Sequence, residues 1–312
     1  MIDPGTFESL RPYLFSVAYR MLGSAAESED VVQDAWLRSA AAPDGLASAK
    51  AWLTTVVTRL CLDRLKSSRM QREDYVGPWL PEPVPTGAVE TGEDLLARQE
   101  SITLAFLVLL ETLTPAERAA FLLREVFDRD YDEVADTLDT TAASARQLVH
   151  RAKSRIAEGR PRFTPSREGQ RALVEAFCSA VQQGDLTELE RYLAADVTYT
   201  ADGGGRVAAA RRPVHGAGSV ARVMHGLVNK AAGAADAAPG AWAGELASIN
   251  GETALLAYRR GSLDTVFVFS TEDDQITAIH AIRNPDKLAW LRQHPRIDRR
   301  RRFAAPPSTI AS

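Results

Sequence analysis

The sequence is short of almost everything that covalent or metal chemistry requires. Two cysteines occur in 312 residues, Cys61 and Cys178, neither in a CxxC pair nor at metal-ligand spacing. That excludes a disulfide scaffold and a thiolate zinc site, and both thiols fall in apolar helical patterns that read as buried and reduced. Long hydrophobic runs are missing as well: the stretch from Ile102 to Leu110 is stopped by Glu111, far below the roughly 20 residues a membrane span needs. The opening MIDPGTFESL lacks the basic region and apolar stretch of a signal peptide, so the expectation is a cytoplasmic protein with no membrane partner. Nor is there a surplus of positive charge. With 37 Lys and Arg against 41 Asp and Glu, the net charge is -4, which argues against a uniformly basic nucleic-acid binder.

What is present is ordinary globular composition, 45% hydrophobic and 25% charged, in a chain long enough for two or three domains. The charge, however, is segregated. Between residues 59 and 72 stand Arg59, Arg64, Lys66, Arg69 and Arg72 against Asp63 alone. Between 141 and 167 stand Arg146, Arg151, Lys153, Arg155, Arg160, Arg162 and Arg167 against Glu158 alone. Two basic segments in an otherwise acidic chain suit a protein that touches a polyanion at two places, although each segment by itself also describes a solvated helix face.

Residues 1–74 read as helices. Ser24 and Glu27 form a capping box that opens a helix to about Ser39, with Val32, Ala35, Trp36 and Ser39 inward and Glu27, Asp30, Asp34 and Arg38 on another face. A second helix, from about Ala49 to Lys66, aligns Leu53, Val57, Leu60, Cys61 and Leu65 as a buried stripe. Its other side carries Trp52, Thr55, Arg59, Asp63 and Lys66, the combination of ring, hydroxyl and cation that holds unpaired nucleotides. Core packing of Trp52 and simple solvation of the cations explain the same face.

From Tyr75 to Gly92 the sequence YVGPWLPEPVPTGAVETG carries four prolines and three glycines. This predicts a semi-rigid linker over 75–100, and its Tyr75, Val76, Trp79 and Leu80 predict that it docks on something. Beyond it, Thr114-Pro115-Ala116-Glu117 is a helix start of unusual completeness, followed by Ala120, Leu123 and Phe127 in helical register. A short helix with Tyr131, Val134, Ala135 and Leu138 inward, a turn at Asp139-Thr140-Thr141, and a helix over 142–157 come next. The last buries Ala145, Leu148, Val149, Ala152 and Ile156 and turns Ser144, Arg146, Gln147, His150, Arg151, Lys153 and Arg155 outward. Two short helices across a tight turn, the second basic, make a helix-turn-helix layout, in which Arg forks onto guanine and Gln onto adenine in the major groove. A plain helical hairpin shares the geometry but not the charge asymmetry.

Four blocks, EDVVQDAWLR at 29–38, AWLTTVVTRLCLDRLKSSR at 51–69, LTPAERAAFLLREVFDRDYDEVADTL at 113–138 and SARQLVHRAKSRI at 144–156, resemble in order and spacing the extracytoplasmic-function sigma factors. The resemblance covers about half the chain. It implies two all-α sigma domains, region 2 over 1–74 and region 4 over 101–163, a function in directing RNA polymerase core to promoter DNA, and no cofactor. It assigns polymerase contact to Asp30, Gln33, Asp34, Trp36 and Leu37. Melting and reading of the minus-ten element falls to Trp52, Arg59, Arg64 and Lys66. Reading of the minus-thirty-five element falls to Ser144, Arg146, Gln147, His150, Arg151 and Lys153. Asp139 stands where that family usually has glycine.

The remainder departs from an ordinary sigma factor. A helix runs from beyond Pro165 to Gln183 and is ended by Gly184; then come a short strand into Asp202-Gly-Gly-Gly-Arg206, a helix near 217–229, and strands at 242–249, 253–258, 265–269 and 276–282. Asn250-Gly251 marks a hairpin. This α+β pattern over 167–295 resembles a SnoaL-like, NTF2-like cone, and YVGPWLPEP, DGGGR and NPDKL resemble the sigma-factor group that carries such a domain fused behind it. The resemblance implies regulation in cis, with Trp79, Leu80, Asp202, Arg206, Asp286, Lys287 and Leu288 as interdomain residues, and leaves a small pocket ligand open. Packing of 284–291 against Trp79 and Leu80 is expected, and the arginine-rich tail over 296–312 is expected to be disordered.

Cones of this class also host isomerases and cyclases. Tyr192, Tyr199, Asp202, His215 and His280 are the acid-base candidates, yet no paired carboxylates and no nucleophile with base and orienting group accompany them, so no enzyme activity is expected. His280 reads as a satisfied core residue. A stand-alone helix-turn-helix regulator with a ligand-sensing domain is the alternative, with a small-molecule isomerase or cyclase bearing a DNA-binding appendage behind it.

Overall fold

The computed structural model describes residues 2–43, 45–73, 75–86, 103–157, 167–233, 242–294 and 299–304. They fall into two units: 1–74 with 86–160, and 75–85 with 161–312. The parts of the expected linker, region 4 end and tail at 87–100, 158–163, 296–298 and 305–312 lie outside the described residues, as do Arg160 and Arg162.

In the first unit α1 (Pro4–Leu22) starts on the Asp3 carboxylate, which accepts from the Gly5 and Thr6 amides, and stops at Gly23 with φ 66°. The α2 helix (Ala25–Ser39) opens on the Ser24 hydroxyl as expected. The α3 helix (Ala49–Glu73) runs past the expected end at Lys66. Its stripe of Leu53, Val57, Leu60, Cys61 and Leu65 is buried, each large aliphatic side chain contributing about 1.5–3 kcal/mol.

Next come α4 (Leu104–Leu110) and α5 (Pro115–Phe121), the latter with its full capping box: the Thr114 hydroxyl accepts the Glu117 amide and Glu117 accepts the Thr114 amide. A plain helix was expected through Phe127, but Leu122–Val126 form a π turn closed by the Phe127 amide on the Leu122 carbonyl. Widening the turn sends the Arg124 guanidinium onto the Arg129 carbonyl and over the Tyr131 ring, which sequence periodicity does not register. The α6 helix (Tyr131–Leu138) and α7 helix (Ala142–Ala157) complete the helix-turn-helix around Ala120, Leu123, Val134, Ala135, Ala145 and Val149. Asp139 joins them in the left-handed region, φ 53° and ψ 55°, which Asp tolerates better than most residues.

The second unit is a seven-stranded sheet in the order β2-β1-β6-β5-β4-β3-β7. Its elements are α8 (Arg167–Gln183), α9 (Leu186–Arg191), β1 (Leu193–Asp202), β2 (Val214–His215), α10 (Ala217–Gly233), β3 (Trp242–Ile249), β4 (Glu252–Arg259), β5 (Ser262–Glu272), β6 (Gln275–Ile282), α11 (Pro285–Gln293) and β7 (Arg299–Ala304). Neighbouring strands are antiparallel except β1 with β6. One sheet face, bearing Tyr199, Ala201, Phe269, Ile279 and Ala281, packs with Val174, Phe177 and Val181 of α8 and with Val220 and Met224 of α10. That is the α+β cone expected of this half.

One expectation needs correction. The tail is not wholly disordered: Arg299–Ala304 pair antiparallel with β3, because a strand bonds through its backbone whatever its side chains, and β3 would otherwise expose unpaired amides and carbonyls at the sheet edge. The stretch 75–85, expected to dock, belongs to the second unit. The Val84 amide donates to Asn250 Oδ1 at 3.1 Å, the Asn250 amide donates back to the Val84 carbonyl at 2.9 Å, and Pro85 bridges to Ile249. Prolines suit such a ribbon, since it needs few amide donors.

Candidate nucleic-acid interface

The outer side of α7 is built from below by carboxylates. Glu117, held in place by its own capping bonds, reaches Arg151 at 3.3 Å and Arg155 at 2.8 Å, and Glu125 reaches Lys153 at 2.8 Å. Burial opposes ionisation of Glu117, but the Thr114 amide and hydroxyl together with Arg155 and Arg151 outweigh it and hold the carboxyl below its ordinary range. Arg146, Gln147 and His150 remain exposed, while Ser144 is half-buried. The Arg146 guanidinium stacks 5.0 Å from the Tyr131 ring centroid, and Tyr131, Arg146, Gln147, His150, Arg151 and Lys153 line one open groove. An exposed groove with one stacked arginine and cations steadied at its rim can take a duplex edge and its phosphates.

The α3 residues expected on a second binding face separate in the structure. Trp52 is half-buried and Lys66 lies exposed, 3.7 Å from Asp63. Arg64 turns toward α2, 3.2 Å from Asp34 and 3.4 Å from Asp30, two of the residues assigned to polymerase contact. Arg59 reaches the end of α6: its Nε donates to the Thr137 carbonyl at 3.1 Å and its Nη2 to the Asp136 carbonyl at 2.7 Å. Along α2, Asp30, Gln33, Trp36 and Leu37 are exposed, Asp34 half-buried. Trp36 and Leu37, exposed at 37% and 67%, form an apolar spot braced by Phe7, whose ring centroid is 4.9 Å from that of Trp36.

A third group closes around Asp202, which is fully buried. Lys287 Nζ lies 2.6 Å from its Oδ2 and donates to the Leu80 carbonyl at 2.5 Å. Asp202 also accepts the Leu80 amide at 2.8 Å, the Gly204 amide at 3.0 Å and the Tyr75 hydroxyl at 2.5 Å. The ammonium sits 4.0 Å from the Trp79 ring centroid and 4.9 Å from that of Tyr75. Burial and the bonded Asp202 carboxylate push the Tyr75 phenol well above its ordinary value. Leu288 is buried beside them, whereas Arg206 and Asp286 pair at 3.3 Å in full view of solvent, where such a bridge adds little. Of the seven residues expected at this place, Trp79, Leu80, Asp202 and Lys287 meet directly, and two others join them: Tyr75, and Asn284, which donates to the Tyr75 hydroxyl at 3.0 Å and caps α11. An asparagine directly before a proline is a cap signal, and reading it so would have found Asn284.

The acid-base candidates do not converge. Tyr199 faces the helices, while Asp202 and His280, one residue out of phase with it, face the other way. Tyr192 bonds Glu188 at 2.8 Å, and His215 lies on the short strand β2, 3.2 Å from the Thr198 hydroxyl. His280 is buried as expected but not satisfied, since neither ring nitrogen has a hydrogen-bond partner, and burial pushes its pKa down to about 4. Among the described residues no His, Cys, Asp and Glu group could hold a metal, and no helix is long and apolar enough to cross a membrane.

Comparison with known proteins shows the family. Residues 6–70 match the family Sigma-70 region 2 and residues 103–156 the family Sigma-70, region 4. The ECF RNA polymerase sigma factor SigJ of Mycobacterium tuberculosis is 39% identical over 301 residues, covering 92% of this chain and 93% of its own length. The chain belongs to the extracytoplasmic-function sigma factors. SigI of the same species is 33% identical over 90% of this chain and 93% of its own. The crystal structure of SigJ superimposes with a TM-score of 0.72 at 36% identity, covering 92% of this chain and 98% of that one, so the likeness extends through the α+β half. As a sigma factor the protein binds RNA polymerase core and promoter DNA and directs transcription initiation.

Proposed function

We propose that this sigma factor is regulated in cis by its α+β domain, which grips the segment joining the two DNA-reading parts. The observation that carries the reading is the buried Asp202–Lys287 pair, closed on the Leu80 backbone and roofed by Tyr75 and Trp79. Because 75–85 belongs to the second unit while 1–74 and 86–160 form the first, whatever holds that ribbon governs the length of chain between the two parts. Arg206 and Asp286 flank the grip at the surface.

Within the first unit we assign core polymerase docking to Asp30, Gln33, Asp34, Trp36 and Leu37, supported by the exposed apolar spot at Trp36 and Leu37. Minus-ten contacts go to Trp52, Arg59, Arg64 and Lys66, and minus-thirty-five contacts to the α7 set. Arg146, Gln147, His150 and Ser144 read bases; Arg151 and Lys153, already leaning on Glu117 and Glu125, hold phosphates. The α+β domain is a regulator and not an enzyme: its acid-base candidates point to different faces, and Asp202 is occupied by structural bonds. The protein then works in the cytoplasm, where polymerase and promoters are.

The test is transcription from a promoter selected out of randomised DNA, with purified core polymerase and with or without the chain. Specific starts are expected only with both. Tight promoter binding and regulation without any polymerase requirement would point instead to a stand-alone regulator. Arg146→Ala or Gln147→Ala should cost about 1–3 kcal/mol and relax one promoter position; an equal loss on every sequence would make them phosphate contacts.

A further inference from the structure

The cations of α7 are held from below in two ways. Carboxylates take three of them: Glu117 of α5 reaches Arg151 at 3.3 Å and Arg155 at 2.8 Å, and Glu125 of the π turn reaches Lys153 at 2.8 Å. Arg146 meets no carboxylate among the described residues; its guanidinium lies 5.0 Å from the ring centroid of Tyr131, the first residue of α6. The Arg124 guanidinium lies at 5.0 Å from the same centroid. Arg124 is fixed in turn, since its Nη1 donates to the Arg129 carbonyl at 2.9 Å and Asp128 stands 4.0 Å away. Arg124 and Glu125 are neighbours in the π turn at Leu122–Val126, a kind of widened turn that gathers at functional sites. Both serve α7, one through the Tyr131 ring and one directly.

Ring and carboxylate leave different things for DNA. A carboxylate occupies N–H donors and offsets charge, so Arg151 and Lys153 must loosen a partner before they grip a phosphate. An aromatic face attracts a guanidinium through its quadrupole and leaves the N–H donors available to another acceptor. Arg146 therefore keeps its charge and its donors while the direction of its side chain is already chosen. Reading guanine requires two of those donors aimed together at O6 and N7, and an arginine left to itself must first be ordered out of many rotamers. Tyr131 is placed to do the aiming. It is half-buried, packs on one side against the core of the helix-turn-helix, and lines the open groove together with Arg146, Gln147 and His150.

We propose that Tyr131 is the positioning residue for Arg146, a role that rests on the assignment of Arg146 to base reading: the ring, steadied by Arg124 from the π turn, presets the arginine, so that discrimination at one promoter position depends on a residue that touches no base.

The test is transcription by the full chain with core polymerase, on the selected minus-thirty-five element and on its single-base variants. Arg146→Ala identifies the position that its side chain reads. Tyr131→Leu should lose at least about fivefold of the preference for the selected base at that same position and less than about twofold at the others, while Tyr131→Phe keeps the wild-type preference. The Tyr131→Leu/Arg146→Ala chain should discriminate no worse than Arg146→Ala alone, because the ring acts through the arginine. Three results overturn the proposal: an unchanged preference in Tyr131→Leu, an equal loss on every promoter, which would make the ring scaffold or a phosphate contact, and a Tyr131→Phe chain as impaired as Tyr131→Leu, which would put the hydroxyl on DNA. If Tyr131→Leu proves unfolded in a thermal melt, Arg124→Gln in the otherwise native chain decides: a preference weakened at least about twofold at the Arg146 position alone supports the positioning role, and an untouched one overturns it. Should Arg146→Ala relax no position while the wild-type chain still initiates from the selected promoter, the base-reading assignment falls and the positioning role with it, leaving the sigma function standing.

Discussion

Below about pH 6.5 the unfolded chain takes up a proton on His280 that the folded chain refuses, because burial holds the folded pKa at about 4. The unfolded state therefore binds more protons between those values, and stability falls as pH drops through that window. The full effect is on the order of 3 kcal/mol. His280→Leu should flatten this acid limb in denaturant melts at pH 7, 6 and 5 without loss at pH 7, since the ring nitrogens have no partners to lose. An unchanged pH profile would mean that another group carries it. The Asp202–Lys287 pair, unlike the His280 ring, is held by partners. Lys287→Met strands a buried carboxylate and should cost about 3–5 kcal/mol, whereas Asp202→Asn/Lys287→Met should recover much of it; purely additive losses would show that the two residues are not coupled. Much at this scale was readable beforehand: the stripe on α3, the outward set on α7 and the meeting of Lys287 with Trp79 and Leu80. Arg64 was not, because a long side chain on a mixed helix face can turn either way and only the placing of Asp30 and Asp34 on α2 decides.

Elements with their own start and stop chemistry were legible; those fixed by a distant partner were not. The capping box at Thr114, the cap at Ser24 and the Asn250-Gly251 hairpin are local devices, and each lies where its residues place it. Strand β7 depends on the edge of β3, far back in the chain, which no window of neighbouring residues contains, and the π turn at Leu122–Val126 widens a helix without any mark in its periodicity. The turn at Asp139 shows a local cost that can be measured. With φ at 53°, Asp139→Gly should be neutral or stabilising by up to about 1 kcal/mol, and Asp139→Val should lose about 1–2 kcal/mol. Thermal melts check both; destabilisation by glycine would mean that the Asp carboxylate has a bond worth more than the relief of strain.

Across the whole molecule the net charge of -4 is carried against two basic segments, so attraction to DNA comes from few cations, and its salt dependence counts the phosphates they meet. Lys153→Ala is expected to weaken promoter binding similarly on all sequences and to reduce the slope of log affinity against log salt by about 1. A titration from low to moderate salt measures it, and an unchanged slope would show that Lys153 stays with Glu125 in the complex. Segregated charge was plain in the sequence; the division into units was not. The apolar residues of 75–85 indicate docking, and the bonds to Asn250 and Asp202 show how fully this segment folds with residues more than a hundred positions away.

That ribbon makes dissection of the protein hazardous. Leu80 and Val84, exposed at 1% and 0%, would face water in a chain cut off behind the helix-turn-helix, together with backbone groups that now bond Asn250 and Asp202. Such a fragment would be greasy along its midline, and altered promoter choice by it would report a sticky strand as much as a missing regulator. Releasing the ribbon by point changes at Lys287 or Tyr75, with every domain left in place, is the cleaner way to ask what the third domain restrains.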